Sequence, residues 1–282
     1  MQIITTLAEL RAWRKALYQQ NKQVGFVPTM GNLHEGHLQL VQAARAQCDV
    51  VIASIFVNPM QFGENEDLDA YPRTLDADKT KLIAHHVDAL FLPSVPEMYP
   101  RGIQQQTFVE VPGISDIICG TSRPGHFRGV ATVVSKLFNM VQPDQAFFGE
   151  KDFQQLQVIK TMVKDLSMDI LIQAVATERE TDGLAMSSRN GYLNEMERKN
   201  APNVYLALKS IRIAVEAGER DYRTLEANAK AFLDNKGFKT DYVTIRNADT
   251  LAEAHPADTN LVVLVAAYLH TTRLIDNLHF RI

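Results

Sequence analysis

Short apolar runs bounded by turn residues alternate, as far as Ala176, with stretches in which apolar positions recur every three or four residues. Residues 24–28 read as a buried strand, 36–47 as a helix with Leu38, Val41 and Ala44 on one face, and 50–57 as a second buried strand. Helical spacing returns over 76–86 and is followed by a strand over 89–92. A helix over 130–141, a strand over 146–149, a helix over 152–165 and a strand over 170–174 complete the series. Strands alternating with helices predict an α/β fold, with a mostly parallel sheet covered by helices on both faces.

The rhythm then changes. A polar segment runs to about Arg189, helices are expected over 201–217 and 224–236, and strands over 242–246 and 261–268. Consecutive helices followed by consecutive strands suit a smaller α+β domain, so the chain divides into 1–176 and 177–282. Pro93, Pro96, Pro100 and Gly102 mark a long irregular connection, a feature often tied to function in a compact domain.

Composition narrows the classes. The 282 residues are 46% hydrophobic and 22% charged, which fits an ordinary folded body able to bury a core without disulfide staples. A net charge of -4 with no concentrated basic segment argues against a nucleic-acid partner. No apolar run approaches the roughly 18 residues that a membrane-spanning helix needs. Glu9, Arg11, Arg14 and Lys15 interrupt any leader-like stretch, so a cytoplasmic protein with no membrane partner is expected. Cys48 and Cys119 lie far apart in no metal-binding spacing and read as buried structural thiols.

The chemistry concentrates in four stretches. Pro28 to His37 lies between the first predicted strand and its helix, the edge at which parallel α/β sheets bind ligands. His34 and His37, three apart, would share a face in the first helical turn, and a helix N-terminus favours phosphate. Gly36 between them leaves room for close approach to the backbone. Zinc is excluded by the spacing, because a metal-binding H-E-x-x-H places its histidines four apart. The plainer alternative is two histidines that cap and pack. Phe147 to Asp152 follows another predicted strand, with Lys151 as a point charge for an anion and Gln155 about one turn beyond Asp152. Solvated polar residues at a helix start would look the same. Thr181 to Asn190 supplies Ser187, Ser188 and Arg189, donors without an acid among them, or else a polar hinge loop. Phe56 to Gly63 carries the amide Gln61 off the second strand, or forms a surface turn.

Six ordered blocks tie these stretches together: P-T-M-G-N-L-H-E-G-H, V-N-P-M-Q-F-G, D-L-D-A-Y-P-R-T-L-D-A-D, C-G-T-S-R-P-G-H-F-R-G-V-A-T-V-V, F-F-G-E-K-D and D-G-L-A-M-S-S-R-N-G-Y-L. In that order they resemble the pantoate-beta-alanine ligase family of the nucleotidylyl-transferase superfamily, from Val24 to about Tyr192. Beyond Tyr192 the resemblance rests on length and element pattern. It implies a Rossmann-like domain that binds ATP and pantoate, followed by a smaller α+β lid domain. It further implies ATP-dependent condensation of pantoate with beta-alanine through a pantoyl adenylate, giving pantothenate, AMP and pyrophosphate.

Carried over residue by residue, the resemblance assigns Met30, Gly31, His34, Gly36, His37, Gly149, Lys151, Asp152, Met186, Ser187, Ser188 and Arg189 to ATP. His37, His34, Lys151 and Arg189 are the expected catalytic groups, Gln61 and Gln155 hold pantoate, and Gln61 also meets beta-alanine. Magnesium would accompany the polyphosphate, with its protein ligands unassigned, and a homodimer is expected. The sequence departs from the family at Asn32, where many members carry a small residue and where a solvent-directed side chain is expected. It departs again at Ala77, which interrupts the acidic pair Asp76 and Asp78 and counts against direct metal binding there.

Two rivals remain at this stage. A nucleotidylyltransferase that stops after nucleotide transfer would need cations for a phosphorylated acceptor, whereas Gln61 and Gln155 are neutral. A nucleotide-binding regulator would release no pyrophosphate.

Overall fold

The computed structural model describes residues 1–63 and 66–282. The chain forms two compact units, one of Met1–Glu150 and Gln155–Ala176, the other of Lys151–Gln154 and Thr177–Ile282.

The first unit holds a six-stranded parallel sheet in the order β1-β4-β3-β2-β5-β6. Its strands are β1 (Gln2–Ile4), β2 (Val24–Thr29), β3 (Val50–Ile55), β4 (Ala89–Phe91), β5 (Gln145–Gly149) and β6 (Leu171–Val175). The helices between them are α1 (Leu7–Tyr18), α2 (Glu35–Gln47), α3 (Leu75–Ala84), α4 (Val95–Met98), α5 (Cys119–Ser122), α6 (His126–Val141) and α7 (Phe153–Asp165). α2 packs with α3 on one face and α1 with α6 on the other. This is a Rossmann-like layer arrangement.

Both faces of β2 are covered, which explains its unbroken apolar run. Gly25 faces α2, where a Cβ would come within 2.9 Å of Cys48 Sγ, so its missing side chain lets the helix lie close. The next residue, Phe26, points the other way and sets its ring edge-on to Phe138 of α6 at 6.5 Å. Val27, Leu40, Val41, Ala44, Val51, Ala53, Leu82 and Leu90 close the core on the α2 side. Cys48 and Cys119 are both buried and not disulfide-bonded.

The second unit packs α8 (Glu195–Asn200), α9 (Asn203–Glu216) and α10 (Tyr222–Asn235) with an antiparallel meander of β7 (Lys239–Asn247), β8 (Asn260–Leu269) and β9 (Thr272–Arg281). Leu208, Ile211 and Val215 of α9 and Leu233 of α10 meet Val263, Val265, Leu274 and Phe280 of the sheet in one core.

Several elements differ from the sequence expectation. β1, α1, α8 and β9 were not expected, the strand after Val50 stops at Ile55, and α6 begins at His126. The connection 93–102 contains the single helical turn α4, capped by Ser94.

Candidate functional site

Strand order places a ligand crevice before any side chain is considered. From β2 the chain runs through α2 to β3 on one side, while β5 pairs with β2 on the other, so connections diverge between these two neighbours. Ligands of open α/β sheets bind outside the strand C-termini at such a divergence. β2 ends at Thr29 and β5 at Gly149, so the loop after Thr29 and the end of β5 lie at that edge of the first unit's sheet.

The loop after β2 is pinned from below. Gly31 takes φ 84° and Asn32 φ 49°, a left-handed pair that turns the chain sharply into α2. The buried carboxylate of Asp78 accepts the N–H groups of Asn32 at 2.9 Å and Leu33 at 2.8 Å, and the Thr74 hydroxyl at 3.2 Å. Asp78 therefore serves the backbone, whereas Asp76 is fully exposed and pairs with Lys79. The two acids do not act together. Asn32 is half-buried, and its Oδ1 lies 3.3 Å from Thr74 Oγ1 on the exposed side of the loop.

His34 is the N-cap of α2 in extended conformation rather than a residue of its first turn, and Glu35 begins the helix. The cap geometry still brings the histidines together, with ring centroids 4.1 Å apart. The His34 N–H donates to His37 Nδ1 at 3.3 Å. With Nδ1 accepting, a neutral His37 carries its proton on Nε2 and can donate from the far side of the ring. Gly36 lies between them in the first turn of α2.

Gln61 sits at the end of a short 3-10 turn, Pro59–Gln61, beyond β3. Its amide is held at both ends: Asn58 Nδ2 donates to Gln61 Oε1 at 3.2 Å, and Gln61 Nε2 lies 3.0 Å from Met30 Sδ. Asn58 is itself buried, donates to Gly129 O at 3.2 Å and accepts from Tyr99 Oη at 2.6 Å. Burial pushes the Tyr99 phenol well above its ordinary range, which keeps it a donor. A side chain at Gly129 would collide with the Met60 carbonyl, so glycine there lets α6 meet the turn. His126 Nδ1 and Arg123 also bond Gln61 O, at 2.8 and 3.3 Å, and Arg123 grips Glu66 through two bonds of 2.6 and 2.5 Å. Burial raises the Glu66 carboxyl, but Arg123 outweighs it and holds the group below the ordinary carboxylate range.

In the second unit, Lys151 is mostly buried and its Nζ lies 3.8 Å from Asp152. Asn277 Nδ2 donates to Lys151 O at 2.9 Å. Arg179 and Ala185 form an antiparallel bridge, and Met186 N donates to Glu178 O at 3.0 Å. Ser187 then caps the 3-10 turn Ser188–Tyr192 by accepting from Arg189 N at 3.3 Å. Gln155, on α7, is half-buried. The structure thus joins His34 to His37, Met30 to Gln61, Lys151 to Asp152 and Ser187 to Arg189. Sequence reasoning gave no role to Asn58, Asp78, Tyr99, Arg123 or His126. Asn58 before Pro59 was the visible signal, since Asn-Pro favours a turn.

The model of pantoate-beta-alanine ligases matches residues 2–279. The chain belongs to that family. The pantothenate synthetase of Alteromonas mediterranea is 59% identical over 278 residues, covering 99% of each chain. That of Idiomarina loihiensis is 58% identical over 278 residues, covering 99% of this chain and 97% of the relative. The crystal structure of pantothenate synthetase from Thermus thermophilus superposes with a TM-score of 0.92 at 45% identity over 99% of each chain. A pantoate-beta-alanine ligase from Francisella tularensis, described in complex with beta-gamma ATP and beta-alanine, matches with a TM-score of 0.84 and 35% identity. It covers 99% of this chain and 97% of that one.

Family membership gives the ligase its reaction class: ATP-dependent joining of pantoate to beta-alanine. The geometry suits that chemistry, because the first unit offers a helix N-terminus with an oriented imidazole and, beyond β3, a neutral amide whose two ends are fixed.

Proposed function

We propose that this ligase works through a pantoyl adenylate, and that the oriented His37 imidazole at the start of α2 is the observation that best supports the assignment. A pantoate carboxylate oxygen attacks the α-phosphorus of ATP, the bond from that phosphorus to the bridging oxygen breaks, and pyrophosphate leaves. The beta-alanine amine then attacks the acyl carbon, forming the C–N bond as AMP departs and the amine loses its proton.

Two anions must meet in the first step, so cationic and N–H donors have to neutralise the developing charge. In this reading Met30, Gly31, Gly36 and the His34 ring position the nucleotide, while His37 Nε2 donates to the reacting phosphate. Gly149, which ends β5, and Lys151 and Asp152 after it take the phosphates with Met186, Ser187, Ser188 and Arg189. Gln61 and Gln155 hold pantoate through neutral amides, which suits a hydroxy acid better than a phosphorylated acceptor, and Gln61 then meets beta-alanine. The second unit acts as the lid that keeps water from the adenylate.

ATP brings magnesium in this proposal, and the ion would supply neutralisation of phosphate charge. Among the described residues no three His, Cys, Asp or Glu side chains gather to cage a cation, and Asp78 is committed to backbone N–H groups. Phosphate oxygens and water would therefore make up most of the ion's shell. We place the ligase in the cytoplasm; among the described residues no helix is long and apolar enough to cross a membrane. We also propose a homodimer, because β6 ends the sheet with Leu171 57% exposed, an edge that invites pairing. Light scattering should return twice 31.6 kDa.

ATP–pyrophosphate exchange tests the reaction order. Pantoate alone should drive exchange without beta-alanine, and exchange that requires the amine would overturn the adenylate.

A further inference from the structure

β9 carries two adjacent buried polar residues, Asp276 on the core face shared by Leu274 and Phe280 and Asn277 on the opposite face. Asp276 and Asn277 are 4% and 5% exposed, between the core residues Leu274 and Phe280. Replacing a buried ion pair by well-packed apolar residues is often neutral or stabilising. The fold of the second unit therefore does not by itself account for them, and what they grip becomes informative.

Asp276 takes a two-pronged bond from Arg179, Nη1 to Oδ2 at 2.6 Å and Nη2 to Oδ1 at 2.9 Å, and also accepts its neighbour's Asn277 N–H at 2.7 Å. The same guanidinium donates to Gly183 O and to Asn277 O, each at 3.1 Å, and stacks over the Tyr205 ring at 4.0 Å. Arg179 thus braces the turn 179–185 internally, at Gly183, and ties it to β9 at Asp276 and Asn277. That turn runs directly into the 186–189 segment, and Asn190 Nδ2 returns to Ala185 O at 3.0 Å. Gly183 fits the same clamp, since its φ is 93° and a Cβ would come within 2.5 Å of Tyr205 Cδ1. One residue along, Asn277 Nδ2 donates to Lys151 O at 2.9 Å, fixing the peptide that carries Lys151 into Asp152.

We infer that Asp276 and Asn277 are positioning residues for ATP, the first setting the 186–189 segment through Arg179 and the second setting the Lys151 peptide. Two segments remote in the chain are registered against each other by neighbouring residues of one strand. The inference rests on the reading that Lys151 and 186–189 serve ATP. A shift of about 1 Å in such groups can cost about 100-fold in rate, so bonds to backbone carbonyls have leverage far beyond their own strength.

Steady-state kinetics with ATP, pantoate and beta-alanine varied separately test it, on Asn277→Ala, Asp276→Asn, Lys151→Ala, the Lys151→Ala/Asn277→Ala double variant and Arg273→Ala. Arg273 also lies on β9 but pairs with Asp241 of β7 at 2.7 Å, and controls for lost stability. Asn277→Ala and Asp276→Asn should each lower kcat/KM for ATP about 10-fold or more, with beta-alanine KM changed less than about twofold and Arg273→Ala unaffected. Once Lys151 is Ala, removing Asn277 should add little, because the side chain it places is gone. Should Asn277→Ala and Asp276→Asn lose only melting temperature, as Arg273→Ala does, or should the double variant show fully additive losses, the pair is structural and the inference falls. If Asp276→Asn does not fold, Asn277→Ala alone decides, since it deletes one amide. Wild-type ATP kinetics in Lys151→Ala would instead refute the Lys151 reading, a result separable from failure of Asn277→Ala beside a crippled Lys151→Ala.

Discussion

The two units assemble their proposed ATP groups by different means. In the first, topology does the gathering: β2 and β5 are parallel neighbours, so the loop after Thr29 and the end of β5 at Gly149 lie at one sheet edge. In the second, the meander has no corresponding rule, and the 186–189 turn and the Lys151 peptide are held by a polar pair on the last strand, 97 and 126 residues distant from Arg179 and Lys151. A parallel sheet supplies a site address for free, whereas an antiparallel one needs dedicated side chains to make one.

The sharpest way to break this contrast is in the first unit. His37→Ala should chiefly reduce kcat, by about 100-fold if it removes one transition-state donor, while His34→Ala should show more of its defect in the KM for ATP. Adenylation kinetics over a full ATP titration, with circular dichroism as the folding check, separate the two. A raised ATP KM at unchanged kcat in His37→Ala would make both histidines ground-state binders and remove the first unit's claim to the chemistry.

A medium effect is expected at Asp78, the support beneath the β2 loop. Asp78→Ala strands two backbone N–H groups in a buried place, at about 1–3 kcal/mol for each donor left unsatisfied. Denaturant unfolding should report that loss, and ATP KM should rise with it as the 31–33 turn loosens. An unaltered KM would show that sheet topology alone sets the loop.

What the sequence revealed follows the same divide. The strand-to-helix junctions were legible because apolar period and turn residues are local signals, and His34, His37, Lys151 and Gln155 lie on them. β9 was missed because Asp276 and Asn277 break its alternation, and they break it for a reason visible only when Arg179 and Lys151 are beside them. Asp78 looked like half of an acidic pair, since sequence spacing cannot tell an exposed Asp76 from a buried neighbour. α1 is a different case: Thr6 and Glu9 form a capping box whose T-x-x-E signature is local and readable, yet β1 and α1 went unassigned.

The smallest effect expected lies at the second unit's rim. Arg198 bonds Asp182 at 2.6 Å and, chiefly through that bond, holds the carboxyl below its ordinary range. A depressed folded value means the contribution is present above the ordinary Asp range and is lost as pH falls below that range through the lower folded value. Arg198→Ala should flatten that acid limb of the stability profile while leaving neutral-pH activity intact. An unchanged acid limb would show that the pair contributes nothing to the turn.

Attack by pantoate on the α-phosphorus is the step that all these residues are assigned to serve, and oxygen tracing reads it directly. Pantoate labelled with heavy oxygen in its carboxylate is converted with ATP and beta-alanine, and the AMP and pyrophosphate are weighed by mass spectrometry. The account predicts one labelled oxygen in AMP and none in pyrophosphate. Label in pyrophosphate or inorganic phosphate, or unlabelled AMP, would contradict it.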